Sequence, residues 1–413
     1  MPGPADGGER AATLVTSAGP PGARWPGRPP PGGGASLALF LGVVLVALNL
    51  RPAVASIPPI LGDLGLGAVG GAALTTLPVV CFGAVAPIAP ALRRRVGEER
   101  ALWGVLVVLL GGLVVRAWWP LAGLFVGTAL AGAAVAVMNV LLPSLVKRRF
   151  PHHRVGIMTG VYTMSLSLGA AIAAGITVPI YEGTGRSVTA ALGLWGIPAI
   201  VALAAWAPQM GRRSGAAAGP RRSVRLWDKR LAWQVTAFMG TQSLVYYAVL
   251  SWLPAIYQSH GLSPARAGLM LSINNLAGIP TALVAPFVAS RSRDQRAAVA
   301  VATGLCAIGL LGLLLLPTTV TAVWPAVLGL GQGAAIGLAL LFLVLRASDG
   351  DASASLSSMA QTVGYLLAAG GPLAVGLLHG AVGGWGTPLI LLLVLTALEA
   401  AVGLAAARRR TVP

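Results

Sequence analysis

Long apolar runs dominate the pattern of hydrophobic and polar positions along this 413-residue chain. Residues 36–50 and 101–115 carry no charge, and comparable runs recur towards the C-terminus. A helix needs about 20 mainly apolar residues to cross the roughly 30 Å hydrocarbon core of a bilayer, and these runs reach that length. A membrane β-barrel would instead show alternating segments of about 10 residues, which the sequence lacks. The pattern therefore predicts an all-α integral membrane protein.

The apolar runs predict twelve transmembrane helices in two six-helix halves. A polar segment rich in Gly, Ala, Ser and basic residues separates the sixth run from the seventh. We predict a disordered cytoplasmic N-terminal tail at 1–35, an N-terminal bundle at 36–208, a cytoplasmic basic linker at 209–231, a C-terminal bundle at 232–407 and a cytoplasmic tail at 408–413. The predicted spans are 36–56, 70–91, 101–117, 121–142, 155–180, 188–208, 232–257, 267–289, 297–316, 321–345, 354–378 and 386–407.

The two halves resemble each other at a nearly constant offset. Ile57-Pro58 at the end of the first span matches Leu253-Pro254 at the end of the seventh, and Gly169 in the fifth span matches Gly370 in the eleventh. This order and spacing predict a duplicated six-helix unit. Transporters built from parallel six-helix repeats hold their substrate between the halves, near the middle of the bilayer.

The basic charge of the chain follows the predicted topology. Hydrophobic residues make up 56% of the sequence and charged residues only 10%, against about 25% in soluble domains. The net charge of +18 is compatible with nucleic-acid binding, but 25 of the 29 Lys and Arg residues fall in the termini and alternate loops. Cytoplasmic loops of membrane proteins carry such an excess. We therefore expect a multi-pass protein of the plasma or inner membrane, with both termini cytoplasmic and no nucleic-acid partner.

Signals for catalysis or cofactor binding are missing from the sequence. No G-x-x-x-x-G-K-[ST] motif occurs, and the glycines at 329–337 lack the spacing of a dinucleotide fingerprint. The four histidines show no metal-ligand spacing, and Cys81 and Cys306 are expected to be apolar fillers. We predict a protein that is not an enzyme and that needs no cofactor or metal.

Three ionisable residues fall inside or at the end of predicted spans, where a charge is costly and usually functional. Arg51 lies near the end of the first span, either facing a central cavity or extending to the interface or a carbonyl group freed by Pro52. Arg116 ends the third span beside two tryptophans, which favours an anchor in the aromatic belt. Glu399 lies in the twelfth span, where a structural partner is favoured over a proton relay.

Several short motifs resemble those of a known transporter family. They are Leu48-Asn49-Leu50-Arg51-Pro52, Ile57-Pro58-Pro59-Ile60-Leu61, Leu74-Thr75-Thr76-Leu77-Pro78-Val79, Pro143-Ser144-Leu145-Val146-Lys147-Arg148-Arg149-Phe150, Met158-Thr159-Gly160-Val161-Tyr162 and Ser251-Trp252-Leu253-Pro254. The first of them is similar to the N-L-R-P signature of the cyanate and 2-nitroimidazole transporter (CynX/NimT-like) family of the major facilitator superfamily. The resemblance covers nearly the whole membrane part, from about residue 36 to 380.

The resemblance implies a cavity lined by the first, fourth, seventh and tenth spans. The polar residues that these spans carry are the candidate substrate-binding residues, namely Asn49, Arg51, Asn139, Gln242, Tyr246, Tyr247 and Gln332. Asn274, Asn275 and Tyr365 are candidates of second rank. For the uncharged members, hydrogen bonding between helices remains an equal alternative.

The acidic residues restrict the mechanism, because only Glu399 falls clearly within a span. A cavity with an arginine and no carboxylate favours small anions or polar heterocycles over cations. We predict a secondary active or facilitative transporter working by alternating access, and the resemblance implies cyanate-like or nitroimidazole-like substrates. A multidrug or metabolite exporter of the same fold and a non-transporting receptor are the alternatives. We expect a monomer and leave proton coupling open.

Overall fold

The computed structural model describes residues 33–118, 121–150, 152–210, 226–292, 294–348, 350–408 and 410–412, and nearly all of them are helical. Most of the predicted tail 1–35 and of the linker 209–231 lies outside the described residues. Two short 3-10 helices occur, at Pro58–Leu64 and Ala207–Gln209. The α-helices of the first half are α1 (Gly33–Leu48), α2 (Pro52–Ala55), α3 (Gly67–Val85), α4 (Ile88–Val96), α5 (Glu98–Trp118), α6 (Leu121–Arg149), α7 (His152–Gly183), α8 (Val188–Gly193) and α9 (Gly196–Trp206).

The second half consists of six long helices. They are α10 (Arg230–Ser259), α11 (Pro264–Arg291), α12 (Arg296–Leu315), α13 (Val323–Leu345), α14 (Gly350–Val382) and α15 (Gly386–Ala406). Each predicted span coincides with helix, and the predicted all-α fold is confirmed. Several helices extend beyond the apolar runs, because their last turns carry the charged residues that leave the bilayer.

Ten of the described helical segments are long and apolar enough to cross a membrane. The second predicted span is apolar but shorter, at Val69–Val85, and the seventh, α10, is not among the ten. α10 carries the polar run Thr241–Ser243, which is buried inside the bundle. The count of twelve crossings therefore stays a prediction for these two segments.

Large apolar side chains cover the outside of the bundle. Trp118 and Leu315 are each 69% exposed, and Val301 is 63% exposed. Soluble monomers rarely expose apolar surface on this scale, because it would be in contact with water. Acyl chains of a bilayer cover such a surface, as the apolar spans predict.

The first predicted span is broken in the middle. α1 ends at Leu48, and α2 begins at Pro52 because proline lacks the N–H that would continue the helical hydrogen bonds. Gly169 of α7 lies so close to the freed carbonyl of Leu48 that a Cβ atom there would clash with it. The break predicted at Pro52 is therefore present, and it is covered by a close backbone contact.

The same contact recurs in the second half, as a duplication predicts. Gly371 of α14 lies against the carbonyl of Leu244 in α10, just as Gly169 lies against Leu48. The glycine matched from sequence, Gly370, has open space around it, so that correspondence was wrong by one residue. The small error arose because the offset between the halves is not constant along the chain.

A second pair of equivalent contacts lies at the end of the bundle that carries most basic residues, here called the basic end. Arg149 forms an ion pair with Glu99 in the first half. In the second half, Arg346 donates to Oε1 of Gln295 at 2.5 Å and to the carbonyls of Ala406 and Ala407 at the end of α15. The repeat thus keeps the arginine and replaces the acid with an amide.

The halves meet through α3 with α14 and through α7 with α11. One side-chain hydrogen bond joins the halves at the centre of the bundle, from Arg51 to Tyr247. Two more between described residues run from Ser272 to the Ala171 carbonyl (2.5 Å) and from Gln258 to the Pro59 carbonyl (3.3 Å). Both lie towards the end opposite the basic end, here called the distal end. The halves are therefore closed against each other at the distal end.

Candidate functional site

Arg51 lies in the break of the first span, at the centre of the bundle. It is the residue that precedes α2, and its side chain is half-buried. Its Nη1 atom donates a hydrogen bond to the Tyr247 hydroxyl at 3.2 Å. This contact crosses from the first half to the second and excludes the alternative in which Arg51 extends to the interface.

Arg51 and Tyr247 are equivalent positions of the two repeats. They are 196 residues apart, the same offset that relates Ile57-Pro58 to Leu253-Pro254. Equivalent residues of a two-fold repeat touch only where they lie near its axis. The contact therefore puts Arg51 at the interface of the halves, where transporters of this architecture bind substrate.

Aromatic rings surround the guanidinium group. Its central carbon lies 5.1 Å from the ring centre of Tyr246 and 5.6 Å from that of Tyr247. Phe82 of α3 and Tyr365 of α14 complete the cluster, with ring centres 5.8 and 6.4 Å from that of Tyr247. Cation–π contacts within about 6 Å stabilise a positive charge by about 0.5–2 kcal/mol. The rings therefore help to hold an arginine in this interior position.

The positive charge of Arg51 has no carboxylate partner among the described residues. The ion pairs found there join Arg149 to Glu99 and Lys229 to Asp228, both at the basic end. A charge in a membrane interior is costly when no counter-charge is present. The site can therefore accept an anion, or a group with negative oxygen atoms, and its planar donors and rings suit a flat ligand.

The remaining predicted residues occupy different surroundings. Asn49 donates to the carbonyls of Leu45 (2.8 Å) and Pro198 (3.0 Å), so its amide holds α1 against α9. Gln242 is buried and bonds within α10, to Ser243 and Met239. Neither has a hydrogen bond to Arg51 or the tyrosines within the described structure, so both fit the alternative of bonding within or between helices.

Gln332 and the asparagines of α11 form a buried amide group beside the aromatic cluster. Tyr246 donates to Asn275 at 3.1 Å, and Asn274 donates to Gln332 at 3.1 Å. The oxygen of Asn274 and the nitrogen of Gln332 have no hydrogen-bond partner in the described structure. Asn139 of α6 is half-buried. Among the candidate residues, Arg51, Tyr246 and Tyr247 are thus brought together, and Asn275 contacts this group through Tyr246.

Phe82 is a site residue that the sequence analysis missed. It is almost fully buried and lies 5.7 Å, ring centre to ring centre, from Tyr365. An isolated Phe in an apolar span has no distinguishing signal. Only its position in the second span, three residues after the Leu74–Val79 motif ends, connects it to the signature region.

The two other ionisable residues of the spans are both buried. Arg116 is 1% exposed and donates to the Ala53 carbonyl at 2.7 Å and to the Ser56 hydroxyl at 3.3 Å. The aromatic-belt interpretation was therefore wrong, because the guanidinium group turns inward to α2. Glu399 is also 1% exposed, and its Oε1 atom has no hydrogen-bond partner in the described structure.

Comparison with known proteins agrees with this architecture. The sequence profile of the Major Facilitator Superfamily matches residues 39–372. Among solved structures, a bacterial homologue of the human lysosomal transporter Spinster has a TM-score of 0.71 at 14% identity and covers 94% of this chain and all of its own. A D-xylose–proton symporter has a TM-score of 0.70 at 14% identity, covering 92% of this chain and 99% of its own. At these identities the structures support the fold alone.

Closer sequence relatives are named as transporters, and the chain aligns with them over most of their length. An uncharacterized transporter of Bacillus subtilis (strain 168) is 40% identical, covering 90% of this chain and 94% of the relative. The 2-nitroimidazole transporter of Escherichia coli (strain K12) is 37% identical, covering 91% and 97%. The cyanate transport protein of the same organism is 30% identical, covering 83% and 90%. The chain is therefore a multi-span membrane transporter of the major facilitator superfamily, in the group that includes the 2-nitroimidazole and cyanate transporters.

Proposed function

We propose that this transporter carries a small planar anion or polar heterocycle and that Arg51 binds it between the two halves. The observation that supports this most strongly is a guanidinium group with no ion pair among the described residues, held at the repeat axis by tyrosine rings. Relatives named for 2-nitroimidazole and cyanate support the same substrate class. 2-Nitroimidazole is a planar heterocycle and cyanate is a linear anion, and both present negative nitrogen or oxygen atoms to a donor.

Tyr246 and Tyr247 are proposed to supply the ring surfaces of the site. Asn275, and Gln332 through Asn274, provide amide groups next to these rings. Asn139 remains a proposed lining residue of α6, whereas Asn49 and Gln242 are proposed as contributors to helix packing because their amides are already bonded.

The closed distal end supports alternating access, which we propose as the transport mechanism. We propose that the basic end and both termini are cytoplasmic, which makes this conformation closed to the outside. A single chain is the proposed transport unit, because both walls of the site come from one chain. No carboxylate pairs with Arg51 among the described residues, so a proton-coupled mechanism would need another group to carry the proton at this site. Uptake measured with and without an imposed pH gradient tests for proton coupling.

The decisive experiment is ligand binding by purified protein with substitutions at Arg51. Binding of 2-nitroimidazole and cyanate is measured by calorimetry for wild type, Arg51→Ala and Arg51→Lys. Arg51→Ala should abolish binding, and Arg51→Lys should weaken it by about 10-fold or more, since Lys cannot copy the planar donor geometry. Arg266→Ala, an exposed arginine at the distal end, is the matched control and should bind normally.

Melting temperatures separate binding from folding. Arg51→Ala should melt near the wild-type temperature, because it removes a buried charge that lacks an ionic partner. Unchanged ligand affinity in Arg51→Ala would contradict the proposal, whereas a large fall in melting temperature would indicate a structural role. Saturable counterflow of the bound compound in proteoliposomes then establishes transport and its direction.

A further inference from the structure

A second buried arginine lines a cavity in the first half, away from the site between the halves. The cavity has a volume of about 380 Å³ and is lined by Leu64, Arg116, Ala117, Trp118, Leu121, Leu124, Val188 and Thr189. These residues come from the 3-10 helix Pro58–Leu64 and from the distal ends of α5, α6 and α8. Ligand sites of small molecules begin at about 300 Å³, so the cavity can hold a molecule or part of a lipid.

Arg116 lacks a full set of partners. Two of its five N–H groups reach the Ala53 carbonyl and the Ser56 hydroxyl. Its Nε atom is buried without a hydrogen-bond partner, and no carboxylate pairs with it among the described residues. A buried guanidinium group that keeps free donors and has no counter-charge is costly, so a ligand anion in the cavity would stabilise it.

The other walls of the cavity are apolar. Leu64, Leu124 and Val188 form the interior, while Trp118 and Leu121 are 69% and 56% exposed at its margin. Thr189 uses its hydroxyl hydrogen on the Ala117 carbonyl at 2.8 Å, so Arg116 is the cationic donor of the lining. Exposed tryptophan at the end of a span is typical of the membrane–water interface.

We propose that this cavity binds the oxyanion head of an amphiphilic molecule, a carboxylate or phosphate joined to an apolar body. The oxyanion contacts Arg116, and the apolar body lies against Leu64, Leu121 and Leu124. The site is separate from that of Arg51, since neither Arg51 nor any residue of the second half lines it. Such a ligand ties α2 to α5 through Arg116 and so stabilises the broken first span.

Free and lipid sources of this chemistry are distinguished by two titrations. Purified protein carrying Arg51→Gln, which removes the central anion site, is placed in phosphatidylcholine nanodiscs and titrated with octanoate. The same protein is then placed in nanodiscs of increasing phosphatidylglycerol content. A saturable rise in Tm with octanoate identifies a free carboxylate, and a rise with phosphatidylglycerol alone identifies a lipid head group; either result supports the proposal.

Two variants assign the effect to the cavity. Arg116→Gln should weaken the apparent affinity by about 10-fold or more, because it removes a charge-assisted hydrogen bond. Leu121→Glu keeps Arg116 and changes an exposed margin residue, so it should fold normally and block anions with its own carboxylate. Arg266→Gln removes an exposed charge at the same end and should respond as the parent does.

The outcomes that overturn the proposal are equally definite. The absence of any Tm response in the Arg51→Gln parent, in both titrations, overturns it, as does an undiminished response in Leu121→Glu. The latter test holds even where Arg116→Gln fails to fold. Failure here leaves the proposal for Arg51 untouched, because the parent protein already lacks that site.

Discussion

At the scale of single residues, the rings around Arg51 can be tested apart from their hydroxyl groups. Tyr246→Phe removes the hydrogen bond to Asn275 and keeps the ring over the guanidinium group. Tyr246→Leu removes both. We expect Tyr246→Phe to bind 2-nitroimidazole almost as wild type does and Tyr246→Leu to bind it about 3- to 30-fold more weakly, the range of a cation–π contact.

The measurement is calorimetric affinity, with the melting temperature of each variant as the control for folding. Equal affinity losses in the two variants would contradict the prediction and would assign the effect to the hydroxyl group. Wild-type affinity in both Tyr246→Phe and Tyr246→Leu would exclude the ring of Tyr246 from the site.

Glu399 lies near the middle of the twelfth predicted span, and we expect it to be dispensable for transport. It lies on α15, buried away from the Arg51 cluster, with one carboxyl oxygen lacking a hydrogen-bond partner in the described structure. Glu399→Gln should therefore retain substrate counterflow. It should melt at or above the wild-type temperature, because a buried carboxyl group without full hydrogen bonding is destabilising. Loss of counterflow in a folded Glu399→Gln protein would instead identify a proton-relay role.

The central position of Arg51 could be predicted from the sequence and the inward position of Arg116 could not, although both are arginines near the ends of apolar spans. The helix break at Pro52 follows from the local sequence, and Arg51 is the residue directly before it. The partner of Arg116 is Ala53, which is 63 residues away along the chain. No local pattern predicts that contact, so the neighbouring tryptophans suggested an anchor instead.

At the scale of elements, close helix contacts at the distal end join the halves. A Cβ atom on Gly268 of α11 would lie 2.5 Å from the Ala174 carbonyl of α7, a backbone contact that cannot yield. Gly268→Val should therefore keep the distal end open. Gly304→Val in α12 is the matched control, because a Cβ atom there meets open space.

The measurement is the distance between spin labels at positions 184 and 262, in the distal loops of the two halves. It should lengthen in Gly268→Val and stay unchanged in Gly304→Val, and only Gly268→Val should lose counterflow. Identical distance distributions in wild type and Gly268→Val would show that this contact does not control closure.

At the scale of the whole molecule, we predict that the basic end faces the cytoplasm, because 25 of the 29 basic residues fall in the termini and alternate loops. With Cys81 and Cys306 replaced by serine, cysteines at positions 216 and 184 should label from opposite sides with an impermeant thiol reagent. Intact cells should label position 184 only. Labelling of position 216 from outside would reverse the orientation and place the closed distal end in the cytoplasm.

Four features could be predicted from the amino-acid sequence: the membrane class, the positions of the helices, the duplication and the central position of Arg51. These are set by apolar runs, prolines and charges, whose effects act within one or two turns of a helix. Tertiary contacts were needed to separate the polar side chains that lie beside Arg51 from those that hold helices together, as Tyr247 and Asn49 illustrate. The physical reason is that a helix apolar on all sides has no polar face to reveal its orientation, so the direction of each side chain follows from contacts with distant parts of the chain.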